Sequence, residues 1–390
     1  MRFPIPLTEG RHMLQSLLAI CVAFLLVTSP ANAKWEVAPV NEALTFARVA
    51  VDGKIHTLAV IASDDTTITA VDLSAELGQY PELPLDILDG KELDDIAALM
   101  AGTPAAAQKT IPLADLLPVA TARQNIAAGT NYAEHGEEAS IDAPFLFPKI
   151  ADPTPYDTPL TAQPEWLLDY EVELAIVFDR DIQGPEDLKF ARAGLFVVND
   201  FTERATLLRE ANLTDPSAGD GFANAKGQPG FFPTGPWMIV PRGDWREAYG
   251  DLTLTLMVND ETRQNETAGT MIWNIDKIVM ETFKTGGKGS WVHNGTHVDL
   301  YASTIPKGTA LLTGTPGGVV FHAPGTGYIA ATAAGWLFSF SFTSQGLMEY
   351  MREALYQDRH AEGIFLQPGD KVVASGTWMG AVETDIVAGE

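Results

Sequence analysis

Phe46 to Val51 and Ile55 to Ile61 alternate apolar and polar positions on either side of Asp52-Gly53, a dipeptide suited to the positive φ angles of a two-residue hairpin turn. Thr67 to Leu73 continues the strand pattern, and Glu92 to Met100 shows helical spacing. The Ala-rich stretch Gly102 to Gln108, with one proline, reads as a linker, and Ile111-Pro112-Leu113 begins a second unit. The pattern then changes character. Leu174 to Phe178 and Ala193 to Val198 are apolar throughout, as strands buried for part of their length are. Leu311 to Val320 is an apolar strand end running into Gly314-Thr315-Pro316-Gly317-Gly318, a turn whose glycines let backbone approach a ligand closely. Trp336 to Phe342 alternates like a strand, whereas Leu347, Met348, Met351 and Leu355 fall on one helical face. No internal repeat is present.

Ahead of these elements Arg2 and Arg11 precede the apolar run Leu14 to Val27, which leads to Pro30 and Ala31-Asn32-Ala33. A basic start, a short apolar core and a small-x-small site describe a cleavable signal peptide, residues 1–33, and predict a periplasmic or secreted protein beginning at Lys34. The run falls short of the about 20 residues that span a bilayer, so no transmembrane anchor is expected after cleavage. Cleavage also removes Cys21, the only cysteine, and with it any disulfide, thiolate nucleophile or cysteine metal site. A net charge of −26 with no basic block argues against nucleic acid or an anionic membrane as partner.

Two clusters carry chemistry. In Asp169 to Phe178 the period-two alternation of a strand puts Glu171 and Glu173 on one face, at the rim of a core. Two carboxylates so placed need a proton or a hard cation between them, and Asp200, at the end of the strand Ala193 to Val198, offers a third oxygen ligand. Balance by lysine and arginine on a half-exposed strand is the alternative. In the second cluster, Asn131-Tyr132-Ala133-Glu134-His135-Gly136-Glu137-Glu138, a helical turn beginning at His135 brings Glu138 to i+3, the spacing of a base and the carboxylate that orients it; a solvated loop histidine is the alternative there. No Gly-x-Ser-x-Gly elbow is present, and Asn294-Gly295 breaks any helix that would make His293 and His297 a metal pair.

The segments NYAEHGEE, DYEVELAIVF, VVNDFTERA, GFFPTGPWMIVP and LLTGTPGGVV, with a closing FLQPGDKVVASGTWMGAVETDIV, resemble in order and spacing the motifs of the fumarylacetoacetate hydrolase family over most of Asn131 to Val387. The resemblance implies a β-rich α+β fold, a mixed β-sandwich roll. Here it would occupy residues 111–390, with a small N-terminal α/β module at 34–110. It implies a homodimer, and a divalent cation, Mg²⁺ or in its place Mn²⁺ or Ca²⁺, held by Glu171, Glu173 and Asp200. By motif position His135 and Glu138 are the water-activating pair and Lys226 the substrate-binding lysine. Tyr132, Gln264, Gly314 and Thr315 fall on substrate-contacting positions. Where the family commonly has Lys-x-Phe-Asp, this chain has Lys226-Gly227-Gln228-Pro229. About residues 321–363 it carries an insertion whose apolar content suits a dimer contact or a lid.

The resemblance further implies a hydrolase that cleaves a carbon-carbon bond in a 2-oxo or β-diketo acid, or a decarboxylase, hydratase or isomerase passing through the same enolate. An exported oxo-acid or metal binder without turnover is the competing class. It would not require the pair His135 and Glu138.

Overall fold

The computed structural model describes residues 34–212, 215–289 and 291–389, so the expected signal peptide lies outside the described residues. Strands β1 (Ala43–Val51) and β2 (Lys54–Ser63) form the expected hairpin, closing at Asp52 and Gly53 with φ of 49° and 77°. Strands β3 (Thr67–Asp72) and β4 (Lys109–Pro112) extend it, with helix α1 (Leu93–Gly102) between them.

Six further strands complete the path of the main sheet: β5 (Gln124–Gly129), β6 (Phe145–Ile150), β7 (Val172–Phe178), β8 (Ala193–Asn199), β9 (Trp237–Pro241) and β10 (Leu311–Leu312). The spatial order is β4-β3-β2-β1-β9-β8-β7-β10-β5-β6, and Leu116–Leu117 pairs with β1 as the eleventh strand. Because β1 pairs antiparallel with β9, the sheet runs on across residue 110. Every residue of β7 and β8 is buried, which accounts for their unbroken apolar sequence.

A second sheet of five strands, in the order Glu261–Thr267, Thr253–Val258, Lys371–Gly376, Gly380–Ala388, Leu160–Ala162, packs over β7 and β8. Thr253–Val258 alternates half-buried and buried residues, and Leu254 and Leu256 enter the common core with Val197 and Leu195. This is the β-rich α+β sandwich expected. Four helices bear on the site or its surroundings: α2 (Ala133–Ala139), α3 (Arg204–Glu210), α4 (Thr326–Phe338) and α5 (Leu347–Glu362).

The segment 321–363 corrects one expectation. Trp336 to Phe342 is not a strand: α4 runs through Phe338, and a short 3₁₀ turn covers Ser341–Thr343 after Phe340 turns left-handed at φ 60°. Ala330, Ala331, Ala333 and Ala334 favour helix strongly, and the helix they carry extends into the alternating run, which pairs with no sheet edge. The helical reading of Leu347 to Leu355 agrees with α5. A hydrogen bond from Tyr328 Oη to Asp358 Oδ2 at 2.7 Å joins the two helices, and Trp336 Nε1 donates at 3.0 Å to Gln345 O, just ahead of α5. Arg352 Nη2 donates to Ala211 O at 2.8 Å, fastening α5 to the end of α3. Among the described residues no helix is long and apolar enough to cross a membrane.

Candidate active site

The antiparallel register of β7 and β8 sets Val172 opposite Asn199 and Glu173 opposite Val198. Glu171 therefore lies beside Asp200, whose N–H donates to Glu171 O at 2.8 Å, while Glu171 N–H donates to Asn199 Oδ1 at 2.9 Å. Oxygens of Glu171, Glu173 and Asp200 all come within 4.8 Å of one another, and the three residues are buried. The strand is thus not the half-exposed one that the alternative reading required.

Three buried cations stand around these acids. Lys226 Nζ lies 2.7 Å from Glu171 Oε2 and 2.8 Å from Asp200 Oδ2. Lys149 Nζ lies 2.5 Å from Asp200 Oδ1, and Arg204 donates from Nη2 to Glu171 Oε1 at 2.7 Å and from Nε to Asp169 Oδ2 at 2.9 Å. Burial pushes Glu171 up, but Lys226, Arg204 and then His135 together pull it down, to about 2. Glu173 meets the opposite fate: burial first, then the charges of Asp200 and Glu171, raise it well above the carboxylate range, with Lys226 opposing. Burial lowers Lys226, yet Asp200 and Glu171 outweigh it and keep the ammonium charged. Lys149 is driven the other way, lowered by burial more than Asp200 restores.

The i, i+3 expectation holds on α2, where His135 Nδ1 lies 3.2 Å from Glu138 Oε2. The other oxygen of Glu138 accepts the Gly318 N–H at 2.7 Å, so the carboxylate is fixed at both ends. With Nδ1–H directed at Glu138, the lone pair of the ring sits on Nε2.

The glycine turn closes the site from β10. Gly314 adopts φ 94°, and a Cβ there would come within 2.8 Å of Asn131 Cβ; its N–H donates to Glu173 Oε2 at 2.7 Å. Thr315 Oγ1 donates to Val172 O at 2.9 Å and accepts from Gln264 Nε2 at 2.8 Å, while Gln264 Oε1 accepts the Val172 N–H at 3.0 Å. Gln264 is therefore occupied in tying the turn to β7, and Thr315 lines the cavity with its hydroxyl already engaged. Among the described residues the buried Tyr132 hydroxyl has no hydrogen-bond partner, and its pKa is raised by burial and then by Glu173.

His135, Glu171, Lys226, Arg204 and Thr315 share the wall of one cavity of ≈ 600 Å³. Lys149, Arg204 and Asp169 were not anticipated. A lone lysine within the apolar run Phe145 to Ala151 is the signal for the first, since a buried charge in a strand needs a partner. Arg204 and Asp169 fall within two of the motif segments, and nothing in the residue pattern distinguishes them from surface charges.

The site's chemistry suits a hard cation. All three candidate ligands are carboxylates, and both Asp200 oxygens are buried without a well-directed hydrogen bond, although two ammonium groups lie close. A buried acidic triad, a histidine oriented by a carboxylate and a cavity that Glu171 and His135 both line define an enzyme site in a β-rich sandwich. Residues 124–387 match the family model described as fumarylacetoacetate (FAA) hydrolase C-terminal, and the chain belongs to that family. It is 27% identical over 253 residues to a 2,4-didehydro-3-deoxy-L-rhamnonate hydrolase of Sphingomonas sp., covering 62% of this chain and 75% of the relative. It is 28% identical over 257 residues to the mitochondrial oxaloacetate tautomerase Fahd2a of Rattus norvegicus, covering 63% and 73%. The fold resembles that of the fumarylacetoacetate hydrolase of Exiguobacterium antarcticum, with a TM-score of 0.54 and 20% identity over 89% of this chain and 100% of the other. Hydrolases, isomerases and tautomerases all occur among such relatives.

Proposed function

We propose that the protein is a metal-dependent hydrolase cleaving a carbon-carbon bond in a 2-oxo or β-diketo acid of the acylpyruvate or fumarylacetoacetate type. The observation that carries this reading is His135, paired with Glu138, on the wall of the cavity that Glu171 and Lys226 also line. Mg²⁺, or Mn²⁺ or Ca²⁺ in its place, would be held by Glu171, Glu173 and Asp200 and would supply Lewis-acid polarisation of the substrate's oxo and enolate oxygens.

The protein's own groups perform the remaining steps. His135 Nε2 takes a proton from water, whose oxygen adds to the distal carbonyl carbon. Glu138 stabilises the imidazolium and holds the ring in place. The bond between that carbon and the methylene breaks, its electron pair passing to the pyruvate fragment as an enolate, and the proton on His135 returns to the methylene carbon. The products are a carboxylic acid and a 2-oxo acid. Lys226, kept charged by Asp200 and Glu171, faces the negative oxygen as it develops.

A second reading, keto–enol tautomerisation of a 2-oxo dioic acid, is favoured by the rat relative's named activity and needs a proton shuttle without added water. Purified protein with Mg²⁺ offered acetylpyruvate and oxaloacetate separates the two: acid release from the first supports hydrolysis, and enol decay of the second alone supports tautomerisation. Turnover of neither, with the oxo acids still bound, would mark a binding protein. We further infer export with cleavage after Ala33, checked by N-terminal sequencing, and a homodimer, checked by light scattering.

A further inference from the structure

Apart from Arg352, the charged residues that line the cavity belong to the acid site. Glu171, Lys226 and His135 line the cavity beneath, whereas Ile329, Leu347, Met348, Met351 and Leu355 of the segment 321–363 line it from above. One side wall is an aromatic cluster in which Phe222 lies 5.1 Å from Phe145 and 4.8 Å from Phe147 between ring centroids. Leu207 and Leu208 of α3 form another part of the lining. That segment's single charged lining residue, Arg352, already donates to Ala211 O, the carbonyl just beyond α3, and so latches the roof to the wall. A volume of ≈ 600 Å³ falls within the roughly 300–1,000 Å³ that enclose ligands of about drug size, several times what a four-carbon oxo acid fills. At the same time Ile329 and Met348, both lining residues, are 38% and 43% exposed, leaving apolar surface that an occupant would cover.

Building on the function proposed above, we propose that the substrate is an oxo acid carrying an apolar tail, a medium aliphatic chain or an aryl ring, whose oxo-acid head sits at the acid site while the roof formed by the segment 321–363 holds the tail. A tail with a second carboxylate would meet one cation among the roof's lining residues, Arg352, whose Nη2 is engaged by the Ala211 carbonyl; the other residues of this segment in the lining carry no charge and suit an apolar tail. The two methionines, flexible and polarisable, suit a roof that adapts to chain length.

Binding of 2-oxobutanoate, 2-oxohexanoate and 2-oxodecanoate to the full chain, measured by calorimetry with Mg²⁺ present, tests this without turnover, because a single oxo group offers no bond to hydrolyse. Each fully buried methylene tightens binding by at most about fourfold. At least a tenfold fall in Kd from the four-carbon to the ten-carbon acid is expected; a flat or rising Kd overturns the proposal. Met351→Asp should abolish the trend, and Leu347→Asn serves should that variant not fold. A trend surviving in folded variants would place the tail elsewhere and overturn it too. In parallel, kcat/KM for octanoylpyruvate should exceed that for acetylpyruvate by tenfold or more. If both are cleaved equally and the Kd series is flat, the tail site fails while the hydrolase reading stands. If neither is cleaved and the Kd series still falls, the hydrolase reading fails and the tail site stands.

Discussion

Replacing Lys149 by methionine keeps the side chain's length and apolar stem but removes an ammonium that is wholly buried. That ammonium lies 2.5 Å from Asp200 Oδ1 and donates to the carbonyls of Lys226 and Phe231, the latter at 2.9 Å. Breaking a buried ion pair by removing one partner costs about 3–5 kcal/mol. Asp200 keeps Lys226 at 2.8 Å, which favours the low end for the pair itself. Two buried carbonyls lose their donor, however, and an unsatisfied buried polar group costs about 1–3 kcal/mol. A net loss of about 5–9 kcal/mol follows, and at roughly 2 °C per kcal/mol for a chain of this size the Tm should fall by about 10–18 °C. Thermal unfolding followed by circular dichroism in a chelator measures it. Adding Mg²⁺ should raise the variant's Tm more than the parent's, because one fewer cation competes for Asp200. A Tm within about 2 °C of the parent would refute the view that Lys149 compensates the acids, since such a shift corresponds to only about 1 kcal/mol.

Three further outcomes are expected. Glu171→Gln should abolish Mg²⁺ binding in a calorimetric titration, because the amide brings no charge to a site of three carboxylates; unchanged affinity would remove the triad as the metal site. Gly314→Ala should destabilise the fold by about 2 kcal/mol or more, read as a lower Tm, as its φ of 94° and a Cβ 2.8 Å from Asn131 Cβ both oppose a side chain; an unaltered Tm would contradict the geometry. Glu383 is raised by burial but lowered further by Lys34 and Lys371, so its folded pKa lies below its ordinary value. Its stabilisation is complete above the ordinary carboxylate pKa and is lost as pH falls through the lower folded value, so Glu383→Gln should lose stability at neutral pH and show a shallower decline on acidification; a parallel acid limb would count against the pairing.

The sequence made the acids legible because a strand has a strict two-residue period: once Leu174 to Phe178 reads as buried, Glu171 and Glu173 must share a face, and the next apolar strand ends at Asp200. His135 and Glu138 were readable through the corresponding helical spacing. The cations were harder. Lys149 reaches Asp200 from β6 and Arg204 reaches Glu171 from α3, and such long-range pairings follow from topology, which local periodicity does not encode. Gln264 illustrates the same gap, since only the register of the surrounding chain shows that its amide is spent on Val172, Thr315 and Pro316. Trp336 to Phe342 was misread because short alternation is ambiguous unless the helix propensity upstream is weighed with it. In the adjacent helix the period was long enough to decide, and Leu347, Met348, Met351 and Leu355 all line the cavity.

The rate of acylpyruvate hydrolysis by His135→Ala at saturating Mg²⁺ tests most directly the claim that water is activated by His135 while the acids hold the metal. A positioned base contributes about 10²–10⁴-fold, so turnover should fall by that order, with Mg²⁺ affinity close to the parent's and Glu138→Gln intermediate. Full hydrolytic activity in His135→Ala would contradict the account.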